Sequence, residues 1–396
     1  MKKAILGQRM FNGKQTIDDF CLIFDESQIL YAGPRQGSPL TDDTEIIEKD
    51  CPALIPGIID SHVHIFLDPS RGYAEYAAPP RSQMEFGCIA SKNMKNLLEQ
   101  GIIYIRDMAA YADMSYELRR MMNEGVIHGP GIKICGEGIC VTGGHGTWMS
   151  TECDGVDEIV KTVRKRIKDG ADHIKLMVTG GVSTPGQEKA PCEMEYKEIA
   201  AAVREAHKKA RKVGVHTHGY TGIKRCVEAG VDSIEHGVYL DHDLLEIMLQ
   251  KGIYLVPTLS APHFAVQNAL LRDPDNPEHL ESAKIMKRHC DAVKMAYDMG
   301  VKIAMGTDKG IPGNMYENAL SELILLHTVG IPPEEVLKIS TYNSADLLDI
   351  LDRYGSLEPG KSASFILLDA DPTIDINNIY ARKSVWQEGQ QVFSSR

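Results

Sequence analysis

The chain has 396 residues, a formal net charge of -12, 43% apolar and 25% charged residues, the balance of a folded globular protein with room for more than one core. The acidic balance and the spread of its charges give no footprint for nucleic acid, and no apolar run reaches the length of a membrane span. The opening Met1-Lys-Lys-Ala-Ile-Leu-Gly-Gln-Arg breaks too early for a secretory leader, and nine scattered cysteines without a CxxC pair suit a reducing compartment, so a cytoplasmic location is expected.

Residues 1–56 carry short β-like runs, Cys21-Leu-Ile-Phe and Ile29-Leu-Tyr-Ala-Gly, punctuated by Asn12-Gly and Gly33-Pro. Residues 355–396 read in the same style, with Ala363-Ser-Phe-Ile-Leu-Leu-Asp and Val385-Trp-Gln leading to Glu388-Gly. Both ends are therefore expected to meet in one small β-sandwich domain. Between them, residues 57–354 alternate short β-branched runs with helical stretches such as Gly155–Asp169, Glu195–Val213 and Pro332–Asp349. The runs begin near Leu54, Gly101, Ile132, His173, Val213, Asp232, Ile253 and Val301. Alternation of this kind predicts an α/β fold with a parallel sheet, closed as a (β/α)8 TIM barrel. An open doubly wound sheet would want a glycine-rich dinucleotide turn after the first strand, and none is found there.

Polar residues recur at one place, the ends of these runs. The first ends in His62-Val-His64, the fourth carries Lys175, the fifth His216-Thr-His218, the sixth His236 and the eighth Asp308. Any one has a plain explanation as a hydrogen-bonded core residue or a turn starter. In a barrel, however, all of them face one rim, and histidines with a carboxylate at one rim predict a binuclear metal centre. Lys175, set in an apolar strand beside cations, must be neutral or modified; a free amine could add carbon dioxide to give a carbamate able to bridge two metals.

His62-Val-His64, Lys175, His216, His236 and Asp308 resemble the metal-ligand pattern of the amidohydrolase superfamily. Pro56-Gly-Ile-Ile-Asp-Ser-His, Gly143-Gly-His-Gly, Thr179-Gly-Gly-Val, His216-Thr-His-Gly and Ser233-Ile-Glu-His-Gly resemble its Xaa-Arg/Lys and Xaa-Pro dipeptidases and carboxypeptidases, relatives of imidazolonepropionase and ochratoxin-type amidases. The resemblance implies that His62, His64 and Asp308 hold the more buried metal and His216 and His236 the more exposed one. N6-carboxylysine at position 175 would bridge the two. His216 is preferred to His218 on the same resemblance; His218 is expected to point away and to contact substrate.

Two divalent ions, zinc first among them, would lower the pKa of a shared water. Asp308 would take the proton and deliver it to the departing amine, and His145, in Val141-Thr-Gly-Gly-His-Gly, could reach the developing oxyanion. Tyr220, Arg71, Tyr73, Tyr76 and Arg81 are candidates for a substrate carboxylate; Asp68, Glu75, Glu188 and Glu193 are candidates for a basic leaving residue. Pro274–Glu281 could form a lid or a solvated helix start. The expected reaction is hydrolysis of a dipeptide or N-acyl amino acid with a free carboxylate, releasing Arg or Lys slightly ahead of Pro or an apolar residue. Alternatives are a cyclic amide, imidazolone or lactone, and a non-catalytic binding barrel, which the complete ligand set disfavours. The expected partner is a small-molecule substrate, with no nucleic acid or membrane, and a homo-oligomer is expected.

Overall fold

In the computed structural model, which describes residues 2–72, 82–181 and 191–395, the chain ends and the middle build separate sheets. Strands β1 (Lys3–Phe11), β2 (Thr16–Asp25), β3 (Gln28–Pro34) and β4 (Glu45–Pro56) come from the N-terminal end. With β14 (Phe365–Leu368), β15 (Lys383–Gln387) and β16 (Gln390–Ser394) they form one seven-stranded mixed sheet, parallel at β1–β4 and antiparallel elsewhere. Alternating residues of these strands make a separate core in which Phe24 meets Phe365 and Trp386 edge-on at 5.3 and 5.6 Å.

The middle of the chain alternates strand and helix. Strands β5 (Ile58–Val63), β6 (Ile102–Asp107), β7 (Gly131–Ile134), β8 (Gly138–Cys140) and β9 (Ser150–Glu152) precede β10 (His173–Met177), β11 (Lys212–Thr217), β12 (Ser233–His236) and β13 (Tyr254–Val256). The pairs β5–β6, β6–β7, β8–β10, β10–β11, β11–β12 and β12–β13 are all parallel. The expected eighth strand is irregular. The run 301–308 meets β13 at the Leu255–Ile303 bridge and β5 through Ser61 N–H to Met305 O (2.7 Å) and Asp308 N–H to His62 O (2.8 Å). On the other side Asp172 N–H reaches Ile134 O at 2.8 Å, joining the chain leading into β10 to β7.

The helices form because their sequences have one apolar face and matched ends. In α3 (Gly155–Asp169), after α1 (Gln83–Glu99) and α2 (Met114–Asn123), Ile159, Val163 and Arg166 are buried at helical spacing. Asp157 and Glu158 sit in its first turn, Arg166 and Lys168 in its last, each complementing the helix dipole. Gly170, at φ 102°, ends it and lets the chain turn straight into β10. The helices α4 (Tyr196–His207), α5 (Tyr220–Ala229) and α6 (His242–Lys251) follow, and α4 is held at its start by a reciprocal Glu195–Glu198 capping box. Their Ile199, Ile223 and Leu244 pack with Ile174, Val215, Ile234 and Leu255 of the strands in the largest core.

The hairpin of α7 (Ser260–Arg272) and α8 (Pro277–Asp298) follows β13, so the expected lid or helix start at Pro274–Glu281 is its turn and the first residues of α8. Pro332–Asp349, expected as one helix, is a short helix (Pro333–Lys338), a π-helical turn (Ile339–Asn343) and another short helix (Ser344–Leu347). No helix among the described residues is long and apolar enough to cross a membrane.

Gly306 keeps the irregular run close to β5. A Cβ added there would sit 2.3 Å from Val256 Cγ1 and 2.8 Å from His62 Cβ. Gly306→Ala is expected to cost about 1–3 kcal/mol by overpacking, read as a lower midpoint in urea with an unchanged slope.

Candidate metal centre

The strand ends deliver their side chains to one cavity of ≈ 500 Å³. His64, Lys175, His216, His218, His236 and Asp308 line it, with His145 from the glycine-rich loop beside them. Two clusters of ligand-type atoms form there, His62–His64–Asp308 and His216–His218–His236, each with its atoms within 4.8 Å of one another. His62 and His64 converge because residues two apart on a strand share a side. His236 would be turned away by that alternation, since its neighbour Glu235 already faces His62. Its backbone at φ 71° redirects it, and Thr258 and Asp308, at φ 54° and 55°, take the same left-handed form at the next two strand ends.

Hydrogen bonds fix which ring nitrogen of each imidazole is free. His62 Nδ1 lies 2.8 Å from Glu235 Oε2, so Nδ1 carries the proton and Nε2 keeps its lone pair. His64 Nδ1 faces Ala109 O at 3.4 Å, a long contact of the same sense. Thr258 Oγ1 donates to Pro257 O and accepts from His236 Nδ1 at 2.6 Å, so His236 Nε2 is the acceptor of its 2.9 Å hydrogen bond with His216 Nδ1. Asp308 Oδ1 then sits 3.4 Å from His62 Nε2 and 3.2 Å from His64 Nε2. With both rings neutral, a carboxylate oxygen facing their two lone pairs is a repulsive arrangement that a cation between them would relieve. Buried His216 Nε2 and His218 Nδ1 also have no hydrogen-bond partner. The donor set therefore fits divalent metal, and its imidazole and carboxylate composition suits zinc.

Burial raises the Asp308 carboxyl, but hydrogen bonds and charge from His62 and His64 more than offset it and hold it well below the usual carboxylate range; this requires positive charge on the Nε2 side of Asp308, from protonated imidazole or from a cation in its place. Burial, aided by Arg106 and opposed by Glu235 and Asp308, pushes the Lys175 ammonium down to about 8. That enlarges its neutral fraction near pH 7 by about two orders of magnitude. Burial pushes His218 down to about 3, so it is a neutral imidazole.

Several sequence expectations change. His218 does not point away: it lines the cavity, stacks on His236 with centroids 4.7 Å apart, and meets His216 edge-on at 4.6 Å. Positions 216 and 218 lie two apart at the end of β11, so alternation puts both side chains on the same side. His145 stacks on His216 at 4.3 Å, and its backbone N–H donates to Glu193 Oε2 at 2.9 Å, so Glu193 secures the loop. Tyr220 begins α5, is 45% exposed and lies outside the cavity lining among the described residues. Arg71 is engaged by Asp68 and Glu85 at 3.0 and 2.9 Å. Tyr73, Glu75, Tyr76, Arg81 and Glu188 lie outside the described residues.

Sequence reasoning missed the groups behind and opposite the ligands. Glu235 appeared only as a flank of the His236 motif, and its partner Arg106 lies on β6. His289, on α8, bonds His236 O at 2.8 Å and lines the cavity; no strand pattern marks it. Trp148, Met149, Met177, Ala261, Ile285 and Met286 supply an apolar wall.

Histidines and a carboxylate gathered where parallel strands end place this protein among the α/β enzymes that work at that face of the sheet. The chain belongs to the amidohydrolase family, whose model matches residues 53–392. It is 28% identical to ochratoxinase of Aspergillus niger over 375 residues, covering 86% of this chain and 75% of that one. Imidazolonepropionase of Pseudomonas aeruginosa is 25% identical over 393 residues, 91% and 90% of the two chains. Among solved structures, a Xaa-Pro dipeptidase with methionine bound in its active site superposes with TM-score 0.87 at 29% identity, covering 99% of both chains. The crystal structure of the A. niger ochratoxinase superposes at 0.86 and 25% identity, covering 99% of this chain and 96% of that one.

Proposed function

We propose that this protein hydrolyses the amide bond of a dipeptide or N-acyl amino acid carrying a free carboxylate. Two divalent ions would sit at the mouth of a closed (β/α)8 barrel of residues 57–354, beside a domain formed by residues 1–56 and 355–396. The observation that carries this reading is Asp308 Oδ1 lying 3.4 Å from His62 Nε2 and 3.2 Å from His64 Nε2. These three residues would hold one ion and His216 and His236 the other, with His218 against the second as ligand or substrate contact. A carbamylated Lys175 would bridge them. When bound, the ions supply an activated water and a polarised carbonyl.

The chain's own residues do the rest. Asp308, kept as a carboxylate, accepts the proton of the attacking water and passes it to the departing amine. His145, stacked on His216, donates to the oxygen that gains charge. The apolar wall excludes water and receives the substrate's side chains.

That wall supports an apolar leaving residue over Arg or Lys. The methionine bound by the similar dipeptidase is consistent with it. A panel of dipeptides and N-acyl amino acids in added zinc, scored for the released residue, tests both levels. Phe, Met, Leu or Pro is expected to exceed Arg and Lys in kcat/KM by about tenfold or more, as desolvating a cation against Trp148 and Met286 costs more than burying a hydrocarbon. Activity confined to cyclic amides would refute the reaction class; a preference for Arg would refute the residue class alone.

A further inference from the structure

Behind His62 lies a buried ion pair that does not line the cavity. Arg106 and Glu235 are 3% and 0% exposed. Arg106 donates three ways, from Nε to Ser61 O at 2.6 Å, from Nη1 to Ser233 Oγ at 3.2 Å and from Nη2 to Glu235 Oε1 at 2.8 Å. Ser233 Oγ donates to the same Oε1 at 2.5 Å. Glu235 Oε1 thus has two donors, and Oε2 alone faces His62 Nδ1, at 2.8 Å.

A buried pair of this kind rarely adds stability over an apolar replacement, so its place here asks for another reason. Each partner is held in one orientation by β-strand neighbours: Arg106 by the backbone of β5, Glu235 by a residue of its own strand. The pair joins β6 and β12 to the first histidine of His62-Val-His64 and to no substrate-facing atom.

We propose that Arg106 and Glu235 are positioning residues that fix His62 as the Nδ1–H tautomer and aim its Nε2 lone pair at the site shared with His64 and Asp308. This inference rests on the metal reading above. Its signature is the behaviour of the Glu235→Gln variant. Arg106 and Ser233 both donate, so they select the carbonyl oxygen of the introduced amide and leave its NH2 facing His62. His62 Nδ1 must then accept, the proton moves to Nε2, and the lone pair that would meet a metal is lost. An isosteric change therefore does more harm to metal binding than removal of both partners, the reverse of what packing alone gives.

The test measures Zn²⁺ alone, by competition with a chromogenic chelator on metal-free protein, with the unfolding midpoint followed in parallel. The variants are Glu235→Gln and the double variant Arg106→Met/Glu235→Ala, which strands no buried cation. Expected is an affinity for one of the two ions about 10–100-fold weaker in Glu235→Gln, with the double variant less affected. Glu235→Gln binding both ions within about twofold of the wild type, or no more weakly than the double variant, overturns the proposal and leaves the metal reading standing. Should the double variant not fold, the comparison of Glu235→Gln with the wild type decides. A wild type that binds no Zn²⁺ overturns the metal reading and this inference with it.

Discussion

Asp308→Asn is expected to keep its fold and lose amide hydrolysis by about 10²–10⁴-fold, the range a positioned proton-transfer group contributes. The substitution is nearly isosteric, and asparagine is among the residues that accept the left-handed backbone found at this position, φ 55°, so no new strain enters. What changes is chemistry. The carboxylate lies 3.2 Å from His64 Nε2 and 3.4 Å from His62 Nε2, able both to share a cation and to take a proton; the amide retains one oxygen for the first task and cannot perform the second. Metal content by atomic emission, circular dichroism and kcat on the best substrate of the panel separate the two roles. Turnover near the wild-type value, with metal retained, would remove Asp308 from the proton path.

The site was legible wherever it depended on the period of a strand. His62-x-His64 announces two imidazoles on one side, His216-x-His218 does so too against the expectation that His218 points away, and Lys175 stands out in the apolar His173–Met177 strand because a buried amine needs a reason. Runs of β-branched residues followed by helices with Gly170 and Gly230 at their ends made the alternation readable too. What could not be read were contacts made across the sheet or through a departure from alternation. Glu235 meets Arg106 and His62 only after three strands are paired, and 129 and 173 positions separate it from those partners. His236 and Thr258 enter the site by a positive φ, which non-glycine residues adopt too rarely for a sequence pattern to carry. His289 arrives on α8, on the inward face it shares with half-buried Ile285 and Met286 and buried Ala292 and Val293, where a lone histidine shows no site pattern, and the apolar wall comes from the end of β10, a loop and the α7–α8 hairpin together. Residues of the 301–308 run bond to both neighbours without forming a regular strand, so its β-like sequence promised more order than its role at the rim of the site allows.

Lys175→Met is the second change with a large expected effect. Methionine has a similar length, no charge, and a neighbour in Cys135 with which a thioether is compatible. Lys175 is 1% exposed, and after loss of its amine Glu235 keeps Arg106, while Asp308, the other carboxylate acting on Lys175, keeps His62 and His64. The metal-free protein is therefore expected to unfold at the same midpoint or slightly higher. The metal-loaded protein should differ sharply. Without a carbamate to bridge them, the two histidine clusters lose their common ligand, so one ion per chain is expected in place of two. Hydrolysis should fall by about 10²–10³-fold, equivalent to about 3–4 kcal/mol of transition-state stabilisation. Formation of the carbamate joins the neutral amine to carbon dioxide and releases one proton. A lysine pushed down to about 8 therefore reacts faster as pH rises toward that value and levels off above it. Added bicarbonate should accelerate recovery of activity when zinc is returned to the metal-free wild type, and should have no effect on Lys175→Met. A methionine variant that binds two ions and turns over normally would make Lys175 a rim cation, and the two clusters would then have to share their ions through Asp308 alone.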